Sequence, residues 1–174
     1  MIDLLILYVL NDREFTMYGV QKRIKEYFAP YTNPSFGALK PALRRLEENG
    51  FITSRQMMSD GGKLSGYYSR TKSGFDHLRK LLLEELSENP LQFLSNARIK
   101  LSCADILDNE DRAKLFFHIK SLALSFQINA KNILENEYTD LNFYQKILLD
   151  NTVCEYKNFI TIIEGLEKDN GRNS

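Results

Sequence analysis

Apolar residues recur at helical spacing at the start of the chain, where Ile2, Leu5, Ile6, Val9 and Leu10 form one line and the polar cluster Asn11-Asp12-Arg13-Glu14 ends it. A second run, 17–28, places Val20, Ile24, Tyr27 and Phe28 on one stripe and turns Lys22, Arg23, Lys25 and Glu26 away from it. The 30–34 stretch, with a proline at each end, breaks the chain. Asn33 followed by Pro34 then predicts a helix start, since Asn can cap the free amides and Pro fixes φ in the first turn. Leu39, Leu43 and Leu46 form the buried line of this third helix, and Gly50 closes it as the residue just past the end. Pro41 removes one bond from the helix, which predicts either a kink or a start near Lys40. Residues 51–58 and 64–70 lack helical spacing and flank Ser59-Asp60-Gly61-Gly62, so they predict a β-hairpin. Thr71 caps a fourth helix with Phe75, Leu78, Leu82 and Leu86 on its core side.

Asn89-Pro90 is the best boundary in the chain, and everything beyond it reads as helix. One helix covers about 91–101. Another follows Asp108, which caps it, with Glu110 and Asp111 in its first turn and Leu115, Ile119, Leu122, Phe126 and Ile133 as its apolar line. The last, about 142–168, carries Leu149, Val153, Tyr156, Ile160 and Ile163 at heptad spacing, while Phe159, Ile162 and Leu166 widen the line into a second face. Either the heptad line is core within the chain or it meets a second subunit. The two apolar faces favour the subunit, which makes these five residues the expected dimer interface.

The fold class is therefore mainly α with a small β-hairpin: an N-terminal winged helix-turn-helix over 1–88 joined to a C-terminal α-helical dimerisation domain over 89–174. Three helices followed by a hairpin is the order in which a third helix enters the major groove and a hairpin tip approaches phosphate, although winged helices also serve as protein-interaction adaptors. Charge supports nucleic acid. The formal net charge is zero, yet residues 1–86 hold 13 Lys/Arg against 10 Asp/Glu and residues 87–174 hold 10 against 13. Between 40 and 72, Lys40, Arg44, Arg45, Arg55, Lys63, Arg70 and Lys72 face only Glu47, Glu48 and Asp60. Cys103 and Cys154 fit no close-spaced metal pattern, so no metal or cofactor is expected and both read as free thiols. The apolar start is too short to span a bilayer and lacks the marks of a leader, which predicts a cytoplasmic protein. His77 and His118 read as ordinary packing or surface residues, and the sequence holds no triad, phosphate-binding glycine loop or paired carboxylates, so an enzyme is not expected.

Three stretches resemble the PadR family of bacterial transcription regulators, named for repressors of phenolic-acid metabolism. Met17-Tyr18-Gly19-Val20-Gln21-Lys22-Arg23-Ile24 looks like the turn into helix two. Gly37-Ala38-Leu39-Lys40-Pro41-Ala42-Leu43-Arg44-Arg45-Leu46-Glu47-Glu48-Asn49-Gly50-Phe51-Ile52 is similar to the recognition-helix signature, Pro included. Gly61-Gly62-Lys63 and Tyr67-Tyr68-Ser69-Arg70-Thr71-Lys72-Ser73-Gly74 resemble the wing and the start of the fourth helix. Departures stand at Val20 and Lys40, where the family commonly has Tyr, and at Arg70, where it has Leu. The resemblance implies a DNA-binding homodimer, usually a repressor, often released by a small molecule.

On this reading the candidate DNA contacts are Ser35, Phe36, Lys40, Arg44 and Arg45 on the third helix, and Lys63, Tyr67, Tyr68 and Lys72 on and after the wing. Glu47 and Glu48 would repel phosphate, which concentrates contact toward the helix start. Ser35 and Phe36 serve equally well as cap and core anchor. Of Tyr67 and Tyr68, one is expected to pack on the helices and the other to reach a phosphate. Phe93, Phe116, Phe117, Phe126, Tyr138 and Tyr144 either line a pocket for a small hydrophobic or aromatic effector or, the better reading, pack as core. The partners expected are double-stranded DNA, a second copy of the chain and such an effector, with no membrane.

Overall fold

A computed structural model of the chain describes residues 1–11, 13–58, 62 and 64–172. The turn residues Ser59, Asp60 and Gly61, the breaker Asp12 and the candidate contact Lys63 lie outside the described residues. The chain divides into two compact units, one made of Met1–Glu84 with Arg98–Ile106 and the other of Glu85–Ala97 with Leu107–Ser174.

The first unit holds α1 (Ile2–Val9), β1 (Phe15–Thr16), α2 (Met17–Phe28), α3 (Phe36–Glu48), β2 (Ile52–Met58), β3 (Leu64–Arg70) and α4 (Lys72–Leu83). Helix α1 is buried on nearly every side, since Leu4, Leu5, Ile6, Leu7, Val9 and Leu10 are all inaccessible. Around it close Val20, Ile24 and Phe28 of α2, Leu39, Leu43 and Leu46 of α3, and Leu78 and Leu82 of α4. These residues lie on the stripes that the spacing predicts, but Tyr27, expected on the α2 stripe, is 53% exposed. His77 stacks on Phe51 with ring centroids 4.1 Å apart, a packing role.

The end of α3 follows a Schellman pattern. Gly50 takes φ +71, its amide donates to the Glu47 carbonyl at 2.9 Å, and the Phe51 amide reaches back to the Leu46 carbonyl at 2.9 Å. The start differs from the expected one. Ser35, not Asn33, is the cap: its hydroxyl accepts from the Ala38 amide at 3.3 Å and its carbonyl from the Leu39 amide at 3.0 Å. Pro34 therefore precedes the helix, and its carbonyl accepts from the Gln21 side chain at 3.1 Å. The helix continues through Pro41 as one element from Phe36, so it does not begin near Lys40.

The sheet has the order β1-β3-β2, all antiparallel, with Ser54 opposite Tyr68 and Arg55 opposite Tyr67 in the hairpin. Strand β1, absent from the sequence reading, pairs Phe15 with Tyr68 and Thr16 with Tyr67. Thr71 caps α4 by accepting from the Gly74 amide at 3.0 Å. The helix ends before Leu86.

Helix α5 (Pro90–Ser102) follows the Asn89-Pro90 boundary, and its last residues, with a short 3-10 turn at Ala104–Ile106, belong to the first unit. They bury one cation. Lys100 is 3% exposed and its ammonium donates to the Glu84 carbonyl at the end of α4. Burial pulls its pKa down to about 8, against a smaller upward pull from Glu84. Between pH 8 and the ordinary lysine value the unfolded chain holds a proton that the folded chain has released, so folding stability from this group rises with pH across that window. The buried Cys103 thiol acts in the opposite sense above the ordinary thiol pKa, so the Lys100 contribution is read as a difference. Between pH 7.5 and about pH 10 the urea-unfolding stability of the parent should rise more, or fall less, than that of Lys100→Met, and equal pH dependence in both proteins would remove the assignment. Burial also pushes the Cys103 thiol up, and Cys154 is exposed; both are free.

In the second unit α6 (Asn109–Glu135) and α7 (Phe143–Arg172) pair antiparallel, held by Asn170 on the Asn109 carbonyl at 2.9 Å and by Lys120 with Glu167 at 2.5 Å. Asp108 caps α6 by accepting from the Asp111 amide at 2.9 Å. Asn142 and Gln145 make a reciprocal capping box at the start of α7, at 3.0 and 2.9 Å. Among the described residues no helix is long and apolar enough to cross a membrane.

Candidate nucleic-acid interface

The start of α3 is open to solvent and carries cations. Two caps build it: Ser35 at the head of α3, and Thr16 at the head of α2, whose hydroxyl accepts from the Gly19 amide at 3.1 Å. The Gln21 bond to the Pro34 carbonyl ties the two helices together at this point. On the surface so formed, Phe36 is 41% exposed and Tyr18 is 67% exposed, and the two rings stack with centroids 6.3 Å apart. Ser35 is thus a cap at the surface, and Phe36 is no core anchor.

The three cations of α3 differ in how they are answered. Lys40 is exposed and has no ion pair among the described residues. Arg44 is 81% exposed and bonds Glu48 one turn later at 2.7 Å, a surface pair that costs little to open. Arg45 is turned the other way, onto Asp3 of α1, with bonds of 2.5 and 3.3 Å to its two carboxylate oxygens. Its position therefore braces α3 against α1. Glu47, expected to face phosphate, instead accepts from the Ser54 hydroxyl at 2.5 Å, so its charge is turned toward β2.

The hairpin register separates the two tyrosines. Ser54 and Tyr68 share the face that meets α3 through Glu47, and burial first, then the Glu47 charge, pushes the Tyr68 phenol up. Tyr67 lies on the opposite face beside Arg55. That face carries a clamp: Glu14, just ahead of β1, accepts from Arg55 at 2.6 and 2.8 Å and from the Ser69 hydroxyl at 2.8 Å. The Arg55 hydrogen bond, then that of Ser69, holds the Glu14 carboxyl below its usual value. Lys72, in the first turn of α4, is exposed.

Tyr18 and Arg55 are not among the expected contacts. Tyr18 lies within the stretch resembling the turn into helix two, and Arg55 within the basic 40–72 stretch; what singles them out is exposure beside α3 and the Glu14 clamp, neither visible as a pattern in the sequence.

The expected dimer residues are placed otherwise than the two-face argument suggests. Tyr156, Ile160 and Ile163 are buried within the second unit, and Leu149 and Val153 are half-buried. Phe93 centres the aromatic core there, 5.1 Å from Phe126, 6.3 Å from Tyr156 and 6.2 Å from Phe159. Phe116 is buried too, whereas Phe117, Tyr138 and Tyr144 are exposed and do not pack as core. Among the apolar side chains this unit leaves open are Phe117, Leu124, Ile128 and Ile133 on α6 and Phe143, Ile147, Leu148 and Ile162 on α7.

Residues 6–80 match the family described as "Transcriptional regulator PadR-like family". Among solved structures the chain is similar to Bacillus subtilis PadR in complex with operator DNA, at 18% identity over 97% of this chain and 98% of that one, with a TM-score of 0.45. It is similar to a PadR family transcription regulator from hypervirulent Clostridium difficile, at 30% identity over 44% of this chain and 78% of that one, TM-score 0.40. A third is Bacillus subtilis PadR in complex with p-coumaric acid, at 17% identity over 98% and 95% of the two chains, TM-score 0.40. No curated protein matches the chain.

Proposed function

We propose, from the match of residues 6–80 to the PadR-like family of transcriptional regulators, that the chain is a DNA-binding regulator rather than an enzyme: a cytoplasmic, homodimeric repressor of a pseudo-palindromic operator, released by a small-molecule effector. Residues 1–88 bind DNA and residues 89–174 make the dimer. The observation that carries the reading is the open head of α3, where Lys40 stands uncompensated beside the exposed Tyr18 and Phe36. A lysine there meets phosphate, and the ring pair stands where base edges or thymine methyl groups would lie. Arg44 joins once Glu48 releases it, Tyr67 and Arg55 follow the backbone from the wing, Lys72 adds charge in the first turn of α4, and Lys63 is a further candidate contact. Arg45 and Tyr68 support these groups from behind.

The exposed apolar residues of α6 and α7 support a dimer, since single exposed hydrophobes are ordinary but a run along one helix pair is not. Two copies place their recognition helices about 34 Å apart on one face of the duplex. The test is a gel shift with the promoter upstream of the protein's own gene over a salt series. Two chains should bind each operator, with affinity falling roughly 1,000-fold or more between low and moderate salt. A chain that gives no specific shift at low salt sinks the reading.

One observation favours a second reading, a winged-helix adaptor that binds protein. Arg44 and Arg45 are both answered by carboxylates of the same chain, which leaves α3 less cationic than its sequence. The bipartite arrangement of open lysine and exposed rings favours DNA.

A further inference from the structure

The first unit contains a cleft of about 510 Å³ between the end of α1, β1, α2 and the 3-10 turn, within the size range of small-molecule sites. Its walls are aromatic: Phe15, Tyr27 and the buried Phe28 line it with Tyr8, whose ring meets Phe28 edge-on at 5.9 Å. Two guanidinium groups stand over the Phe15 ring, Arg13 at 5.2 Å and Arg23 at 5.6 Å.

The charges in the cleft decide what it takes. Arg23 is answered inside the cleft by Glu26 at 2.9 Å. That leaves Arg13 and Asp105, one of each sign, both exposed and neither with an ion pair among the described residues. A simple aromatic anion would satisfy Arg13 and be repelled by Asp105; a simple cation would meet the reverse. A molecule with a carboxylate, an ammonium group and a ring answers both charges and fills the aromatic floor.

We propose that this cleft binds an aromatic zwitterion of the amino-acid type, its carboxylate on Arg13, its ammonium on Asp105 and its ring against Phe15, Tyr27 and Phe28. The cleft reaches the candidate DNA surface by two short routes. Phe15 pairs directly with Tyr68 in the wing sheet. Arg23 and Tyr27 lie on α2, whose Gln21 holds the Pro34 carbonyl at the head of α3. A ligand seated here touches α2, which Gln21 ties to the head of α3, and β1, which pairs with the wing, and this makes it an effector site; that role, unlike the binding itself, rests on the regulator reading.

Calorimetric titration of the full chain tests the binding with L-phenylalanine, 3-phenylpropionate, 2-phenylethylamine and glycine. Phenylalanine should bind saturably, one molecule per chain, and each of the other three, lacking one of the recognised groups, should bind about tenfold more weakly or worse. Arg13→Gln and Asp105→Asn should each cost about tenfold in phenylalanine affinity without lowering the melting temperature, because both side chains are at the surface. No saturable heat with phenylalanine, phenylpropionate binding as tightly as phenylalanine, or both variants binding like the parent would each overturn the site. Operator gel shifts with and without phenylalanine separate the two ideas. A bound ligand that leaves the shift unmoved removes the effector role, while no shift in its absence counts against the regulator reading and leaves the calorimetry to judge the cleft.

Discussion

Alanine at both Lys40 and Arg44 is expected to weaken operator binding about 100-fold to 1,000-fold, with nearly unchanged folding stability. Both side chains are exposed on α3, so neither substitution opens a cavity, and the Arg44 pair with Glu48 is a surface contact of small worth. The effect is large because the proposed dimer would lose each contact twice. The salt dependence should flatten as well, by about 0.9 in the log-log slope for every phosphate contact removed. Arg45→Ala provides the contrast: its guanidinium is engaged with Asp3, so DNA affinity should change far less than for Lys40. Fluorescence anisotropy with labelled operator over a salt series measures all three proteins. Equal affinities for the parent and the double variant would leave the adaptor reading in possession.

Gly74→Ala should destabilise the first unit by about 3 kcal/mol or more, lowering the melting temperature by about 10 °C or more. Thr71, Ser73 and Gly74 open α4 directly against the chain leaving α3. The Thr71 amide donates to the Phe51 carbonyl at 3.0 Å, and the Ser73 hydroxyl to the Gly50 carbonyl at 2.9 Å. A Cβ on Gly74 would stand 2.0 Å from that Phe51 oxygen. The obstacle is backbone, which rotamer changes cannot move, so either the helix start or the entry to β2 must give way. Gly165→Ala on α7 is the control, since nothing lies within 4 Å of the added carbon and the substitution should be neutral or mildly stabilising. Thermal unfolding by circular dichroism distinguishes them, and a Gly74 variant melting with the parent would mean the close approach is not real.

Elements marked by local chemistry were legible in the sequence. Thr71 and Asp108 cap the helices they precede, Gly50 turns out of α3, and the hairpin strands match the expected runs to within a residue. Asn33 and Ser35 are both good caps two residues apart, and what selects Ser35 is Gln21, distant in sequence, taking the Pro34 carbonyl. Strand β1 is two residues long, too short to have a period, and exists only through its pairing with β3. The heptad line of α7 was visible, but spacing does not say which helix it meets; α6 of the same chain takes Tyr156, Ile160 and Ile163. Composition counts cations without saying which are already spent, and so it could not separate the open Lys40 from Arg45 on Asp3.

Helix α1 is synthesised before every element that covers it. Its leucines and isoleucine find shelter only after α2, α3 and α4 have been made. Until then the ribosome carries a greasy segment with a single acidic residue, Asp3, and no finished neighbour. Production of this protein should therefore depend on holdase chaperones and gain from slow, cool expression, and yield, more than the melting point of the finished molecule, should register changes that make α1 still more apolar.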